Sequence, residues 1–218
     1  MVSNRLMILF VSLSLLFVVN VCGQSLEGKA GSSGTPDLLK SILDGQPQTA
    51  LALINQGADV NATDTTTGSA PGSTALMYAA WKGDTAIVNA LLQKGAEVNA
   101  KNKYGLTALI RAVAKGHTSI VKTLLQKGAV VNVKDNIVGM TPLLSATLHD
   151  DTTIMQILLA NGANVSAQDN GGNTALMDAV IDGHMVAVQV LLAERCRCYD
   201  KKQKWHDRFN GCGKNRTS

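Results

Sequence analysis

The chain has 218 residues, of which 45% are hydrophobic but only 4% aromatic and 17% charged, so its core must be built of Leu, Ala, Val and Ile. The formal charge of +4 is concentrated at one end: residues 196–218 hold seven Lys/Arg against two Asp, and residues 24–195 come to −2. That excludes reading the basic balance as a nucleic-acid-binding surface on the body of the chain.

Residues 1–23 stand apart. Arg5 precedes an apolar run from Leu6 to Val19, after which Val21-Cys22-Gly23 leads to Gln24. A run of about fourteen residues is short of the ~20 that span a bilayer, and small residues before Gln24 suit signal peptidase. The segment reads as a cleaved secretory signal peptide, with an uncleaved anchor as the competing reading. Lipidation of Cys22 is disfavoured, because Val21 is larger than the residue expected before a lipidated Cys. Residues 24–35 (QSLEGKAGSSGT) form a flexible polar linker with too little apolar surface to order itself.

Periodicity begins at Pro36. PDLLKSILDG predicts a helix with Leu38, Leu39 and Ile42 turned inward, and QTALALINQGADVNAT predicts a second, ending at Gly57 and Asn61. Asp37, Lys40 and Gln46 supply the wet outer face that an end-capping unit needs. Between Asn61 and Ser73 the stretch DTTTGSAPGS adds about five residues at a hairpin tip, where a repeat stack tolerates extra chain.

The clearest unit runs from Asn102 to Lys134. Gly105 to Leu109 is a turn in which Thr107 can cap a short helix. Leu109, Ala112 and Val113 form its apolar stripe, and Gly116 ends it in the left-handed conformation. A second helix buries Ile120, Val121, Leu124 and Leu125 and stops at Gly128. The pattern recurs from Ser73, Met140 and Asn173: Asn99 and Asn132 are 33 residues apart, Thr107 and Thr141 34, and Thr141 and Thr174 33. At Thr107-Ala-Leu, Gly116-His117 and Gly128-Ala-Val-Val-Asn132 the unit resembles an ankyrin repeat, a turn plus two antiparallel helices.

The resemblance covers about 160 residues and implies an all-α ankyrin-repeat solenoid of helix-turn-helix units with short hairpin loops over residues 36–195. Its repeats are 36–64, 65–101, 102–134, 135–168 and a truncated 169–195. One departure is systematic. The family's Thr-Pro-Leu-His has Met77, Ile110, Leu144 or Met177 in place of the His, so apolar contact is expected where the family has Thr–His hydrogen bonding.

After Leu192 the pattern collapses into a non-repeat basic tail, 196–218, with three of the four Cys and one of the two Trp. Cys196, Cys198, His206 and Cys212 invite a zinc reading, but their spacing lacks a CxxC knuckle, and three cysteines leave one over for disulfides. A different explanation fits better. When the codons from Glu194 onward are read one base later, Trp205-His206 can only give glycine, and the remaining pairs permit NGADVTIKNKNGMTALMAVAKTG. That string aligns without a gap on Asn161 to Gly183, NGANVSAQDNGGNTALMDAVIDG. The tail therefore reads as a frameshifted continuation of the repeat array, and its Cys, Trp and His as carrying no chemistry.

No catalytic constellation emerges. His117 and His184 occupy the Gly-His slot of the repeat, a structural position. His149 lies on an inner helix as a surface or partner-contact residue. Asp150-Asp151 replaces Gly-His and favours the next helix N-terminus. There is no Gly-rich phosphate loop, GxSxG or HExxH. The sequons at Asn61 and Asn164 arise from the repeat's own turn, and a third lies at Asn215.

Binding remains. The resemblance implies a partner surface made of hairpin tips and inner helices. The tips offer Ala70, Ser73, Lys101, Lys103, Tyr104, Leu106, Lys134, Ile137, Val138, Met140, Gln168, Asn170 and Asn173; the inner helices offer Tyr78, Trp81, Lys82, Arg111, Lys115, Leu148, His149, Asp178 and Asp182. The expected contact set is Tyr78, Trp81, Lys82, Lys103, Tyr104, Arg111, Lys115, Ile137, Met140, His149 and Asp182. Trp81, Tyr104 and Arg111 are hot-spot residue types, and Ile137, Val138 and Met140 make an apolar cluster at one tip. The expectation is a monomeric, non-enzymatic protein-binding module, exported to the periplasm or secreted, with no cofactor, metal or nucleic acid. The lysines would favour an acidic partner. Alternatives are a dedicated accessory or chaperone of one exported enzyme, and a metal protein built on the tail.

Overall fold

The computed structural model describes residues 35–65 and 70–194. The signal segment, the linker up to residue 34, the tip of the insertion, and the tail with its Cys/His set and its frame reading lie outside the described residues. Secondary structure among the described residues is helical, apart from two isolated β-bridges, Thr63–Thr74 and Gln168–Thr174. The helices come in pairs: α1 Thr35–Leu43 with α2 Pro47–Asn55; α3 Ala75–Lys82 with α4 Thr85–Gln93; α5 Ala108–Ala114 with α6 Thr118–Gln126; α7 Pro142–Leu148 with α8 Thr152–Ala160; and α9 Ala175–Asp182 with α10, residues 185–194.

The same local chemistry sets each boundary. The hydroxyls of Thr74, Thr141 and Thr174 accept the backbone N–H three residues on, at 3.4, 3.2 and 3.4 Å, and so open α3, α7 and α9. The second helix of a pair opens on Asp84 or Asp151, whose Oδ1 accepts from Ile87 N–H at 3.0 Å and from Ile154 N–H at 2.9 Å. At α6 the equivalent residue is His117, which makes no side-chain capping bond. The reversal inside a pair needs a positive φ. Gly83, Gly116 and Gly183 supply it at 85°, 71° and 75°, while Asp150 takes that position at 51°.

Two compact units divide between Ala108 and Leu109. In the first, α1 packs on α2 and α3, α2 on α4, and α3 on α4. Leu38, Ile42, Ile54, Leu76, Met77, Ile87 and Leu91 fill the core. Asp37, Lys40 and Gln46 are exposed and Leu39 is buried, as a capping pair requires. Asn61 fastens consecutive repeats: its Nδ2 donates to Gly95 O at 3.3 Å and its Oδ1 accepts from Glu97 N–H at 2.8 Å. The Asn61 amide is thus engaged at both ends.

In the second unit α7 packs on α8 and α9, and α6 on α8. Leu109, Ile120, Leu124, Leu144, Ile154 and Met155 are fully buried. Asn132 repeats the fastening, Nδ2 to Gly162 O at 3.1 Å and Oδ1 from Asn164 N–H at 2.8 Å. His184 adds another link, its Nδ1 lying 3.0 Å from Thr147 O. Its structural assignment is met by this bond.

Candidate partner-binding surface

The hairpin tips are built around one acceptor each. Asp135 is buried, and its Oδ1 accepts from the backbone N–H groups of Ile137, Val138, Gly139 and Met140 at 2.9 to 3.2 Å. Asn102 does the same more modestly, its Oδ1 taking the N–H of Tyr104 and of Leu106, each at 3.0 Å. Asn102 Nδ2 also donates to Ser73 Oγ at 3.1 Å, tying its tip to the preceding one. Asp169 accepts from Asn173 N–H at 2.8 Å. Donors that would otherwise face water or nothing are satisfied, so these loops hold a defined shape. None of the three acceptors stands out in a single repeat. Aligned, they share one column, and a polar acceptor ahead of a positive-φ glycine was the available signal.

On these supports the first unit presents Trp81, Lys82, Lys103 and Tyr104. Trp81 is half-buried at the end of α3, and Lys82 Nζ lies 5.6 Å from the centre of its ring, a cation–π approach. Lys103 and Tyr104 are exposed on the tip that Asn102 organises, with Lys103 N–H donating to Pro71 O at 3.1 Å. The second unit presents Lys115, Ile137, His149 and Asp182, all exposed. His149 is turned back on its own helix, Nδ1 2.8 Å from Ser145 O, so it finishes α7 as well as facing outward. Lys134 Nζ donates to Gln168 O and bridges adjacent tips.

Three expected contact residues are not on the surface. Tyr78 is 3% exposed, Arg111 5% and Met140 3%. Tyr78 and Arg111 share the helical position four residues after the capping Thr, and Ser145 in that position is buried too. At Tyr78 the hydroxyl donates to Asp64 Oδ2 at 2.7 Å, so the chain entering the insertion covers the ring. Met140 is folded beneath its tip: its N–H goes to Asp135 Oδ1 at 3.2 Å, and its carbonyl accepts from Asp135 N–H at 3.1 Å. Ala70 and Ser73, expected at a tip, are also buried. At the Asp135 tip Ile137 is exposed while Met140 is buried.

Asp178 has a displaced titration. Burial pushes its carboxyl up from 3.8 to about 6, and the negative charges of Asp169 and Asp182 add to the shift. Among the described residues no three His, Cys, Asp or Glu side chains gather to hold a metal ion, and no helix is long and apolar enough to cross a membrane.

Comparison with known families agrees with this architecture. The family profile described as Ankyrin repeats (3 copies) matches residues 38–135 and 132–202. The chain belongs to the ankyrin-repeat family, and its fold is the all-α ankyrin-repeat class. Proteins of this family generally act as protein–protein interaction modules and are typically not enzymes. No curated protein sequence matches the chain.

Proposed function

We propose that this protein is an exported, monomeric, non-catalytic module that binds one protein partner through its hairpin tips and inner helices. The reading rests chiefly on Trp81 with Lys82, a half-buried indole with a cation beside it, on the same unit as the Lys103–Tyr104 tip. Trp and Tyr on rigid supports lose little conformational freedom when they bind, and they dominate interface energetics. Lys82 and Lys103 select an acidic partner and accelerate its encounter. Export to the periplasm or beyond follows from the reading of residues 1–23.

Affinity co-purification of the mature chain with proteins of its own compartment, followed by titration of the captured partner, is the test. The double variant Trp81→Ala with Tyr104→Ala should weaken binding at least tenfold while leaving the circular dichroism spectrum unchanged. Binding by the double variant at full strength overturns the surface assignment. Recovery of the untagged chain from the cytoplasm overturns export.

A further inference from the structure

The last helical pair shows a surface that the earlier pairs do not. On α3, α5 and α7, the residues three and six places after the capping Thr are Met77 and Ala80, Ile110 and Val113, and Leu144 and Thr147, each 4% exposed or less. The same places on α9 are Met177 and Val180, which are 50% and 62% exposed. Ile181 beside them and Met185, Val186 and Leu192 on α10 are exposed as well. Among the described residues, six of the nine exposed large apolar side chains fall between Met177 and Leu192. An apolar patch spread over both helices of a pair marks a contact site. Within this unit, the face of α7 that carries Leu144 and Thr147 is buried and α9 packs on α7.

A second observation bears on what would cover this face. Read one base later, the codons from Glu194 onward permit a further ankyrin unit, and the constraints fall where the structure is least tolerant. Trp205-His206 can give only glycine, and that glycine falls opposite Gly172, whose φ is 82°. The corresponding tips hold Gly72, Gly105 and Gly139, all at positive φ. Arg195-Cys196 permits glycine opposite Gly162, at φ 86°. Asp207-Arg208 permits threonine opposite the capping Thr174, and Asn210-Gly211 permits methionine opposite Met177. Apart from the forced glycine these residues are choices among a few, yet a turn glycine, a helix cap and an apolar stripe share one register.

We infer that the exposed face of α9 and α10 is the seat of a further ankyrin repeat, encoded in the frame one base later from about codon 194. That repeat would place its first helix against Met177, Val180 and Ile181. Its second helix would lie against α10. The inference is independent of the partner-binding reading, because it concerns the end of the stack and not its tips.

The test compares two proteins: the full chain as it stands, and the product made when one base is removed at codon 194 and translation runs on through the downstream DNA. Amide hydrogen exchange over residues 175–194 should slow at least tenfold in the frame-restored protein. Val180→Lys should leave the exchange of the present chain unchanged within twofold and should reverse the gain in the restored one. Equal exchange in the two proteins overturns the proposal, as does downstream DNA with no repeat in that frame. If the present chain is a dimer in sedimentation and Val180→Lys makes it a monomer, the occupant is a second copy and the proposal is wrong.

Discussion

Thr74-Ala-Leu-Met77 and Thr174-Ala-Leu-Met177 are the same four residues in the same helical position, each capped through its threonine. Yet Met77 is 1% exposed and Met177 50%. Identical local sequence, identical helix and opposite burial mean that the segment's own propensity forms the helix, while burial is conferred by what stands beside it. This is the behaviour of a quasi-one-dimensional array, in which interface terms between units carry much of the stability.

The sharpest way to break the comparison is to truncate both methionines. Met77→Ala should destabilise the protein by about 2–5 kcal/mol in urea unfolding, through lost contact and a residual cavity. Met177→Ala should fall within about 0.5 kcal/mol of the parent. Equal losses would mean that Met177 is buried in solution.

Next in size is the tip acceptor. Asp135→Ala leaves four backbone N–H groups without their carboxylate and should cost about 1–3 kcal/mol, with faster exchange at residues 137–140. Asp151→Ala removes one helix cap and should cost about 1 kcal/mol by thermal melting.

A pH series sharpens the contrast at the column of Tyr78 and Asp178. Burial raises the Asp178 carboxyl to about 6 in the folded chain from the ordinary 3.8 that holds when it is unfolded, so between those values the native state holds a proton that the unfolded state has lost. Stability from this group is therefore full below about 4 and falls as pH rises to about 6. Asp178→Asn should remove that part of the pH dependence and raise stability at pH 7, both measured by urea titration. A further repeat over α9 would bury the carboxyl more deeply and move the transition upward.

How legible was all this in the sequence? Helix pairs were readable because Thr, the 33-residue spacing and the turn glycines each report a backbone requirement that does not depend on neighbours. The inward stripes at Leu38, Leu109 and Ile120 followed from helical periodicity. The surface was harder. Tyr78, Arg111 and Met140 carry residue types common in binding sites, but all three are buried, and the bond from Tyr78 to Asp64 is a contact across 14 residues that periodicity does not encode. Met177 erred in the other direction. Its apolar character matched its buried equivalents, and only three-dimensional structure could reveal that nothing among the described residues covers it.

The Asp135 tip has a practical corollary. One inward carboxylate sets the course of the loop through main-chain donors, so the exposed side chains of Asn136 and Ile137 are uncoupled from the shape of the backbone that displays them. Under the binding role proposed above, specificity would be free to drift, or to be randomised in a library, without renegotiating the fold; the loop would serve as an interchangeable reading head on a fixed mount.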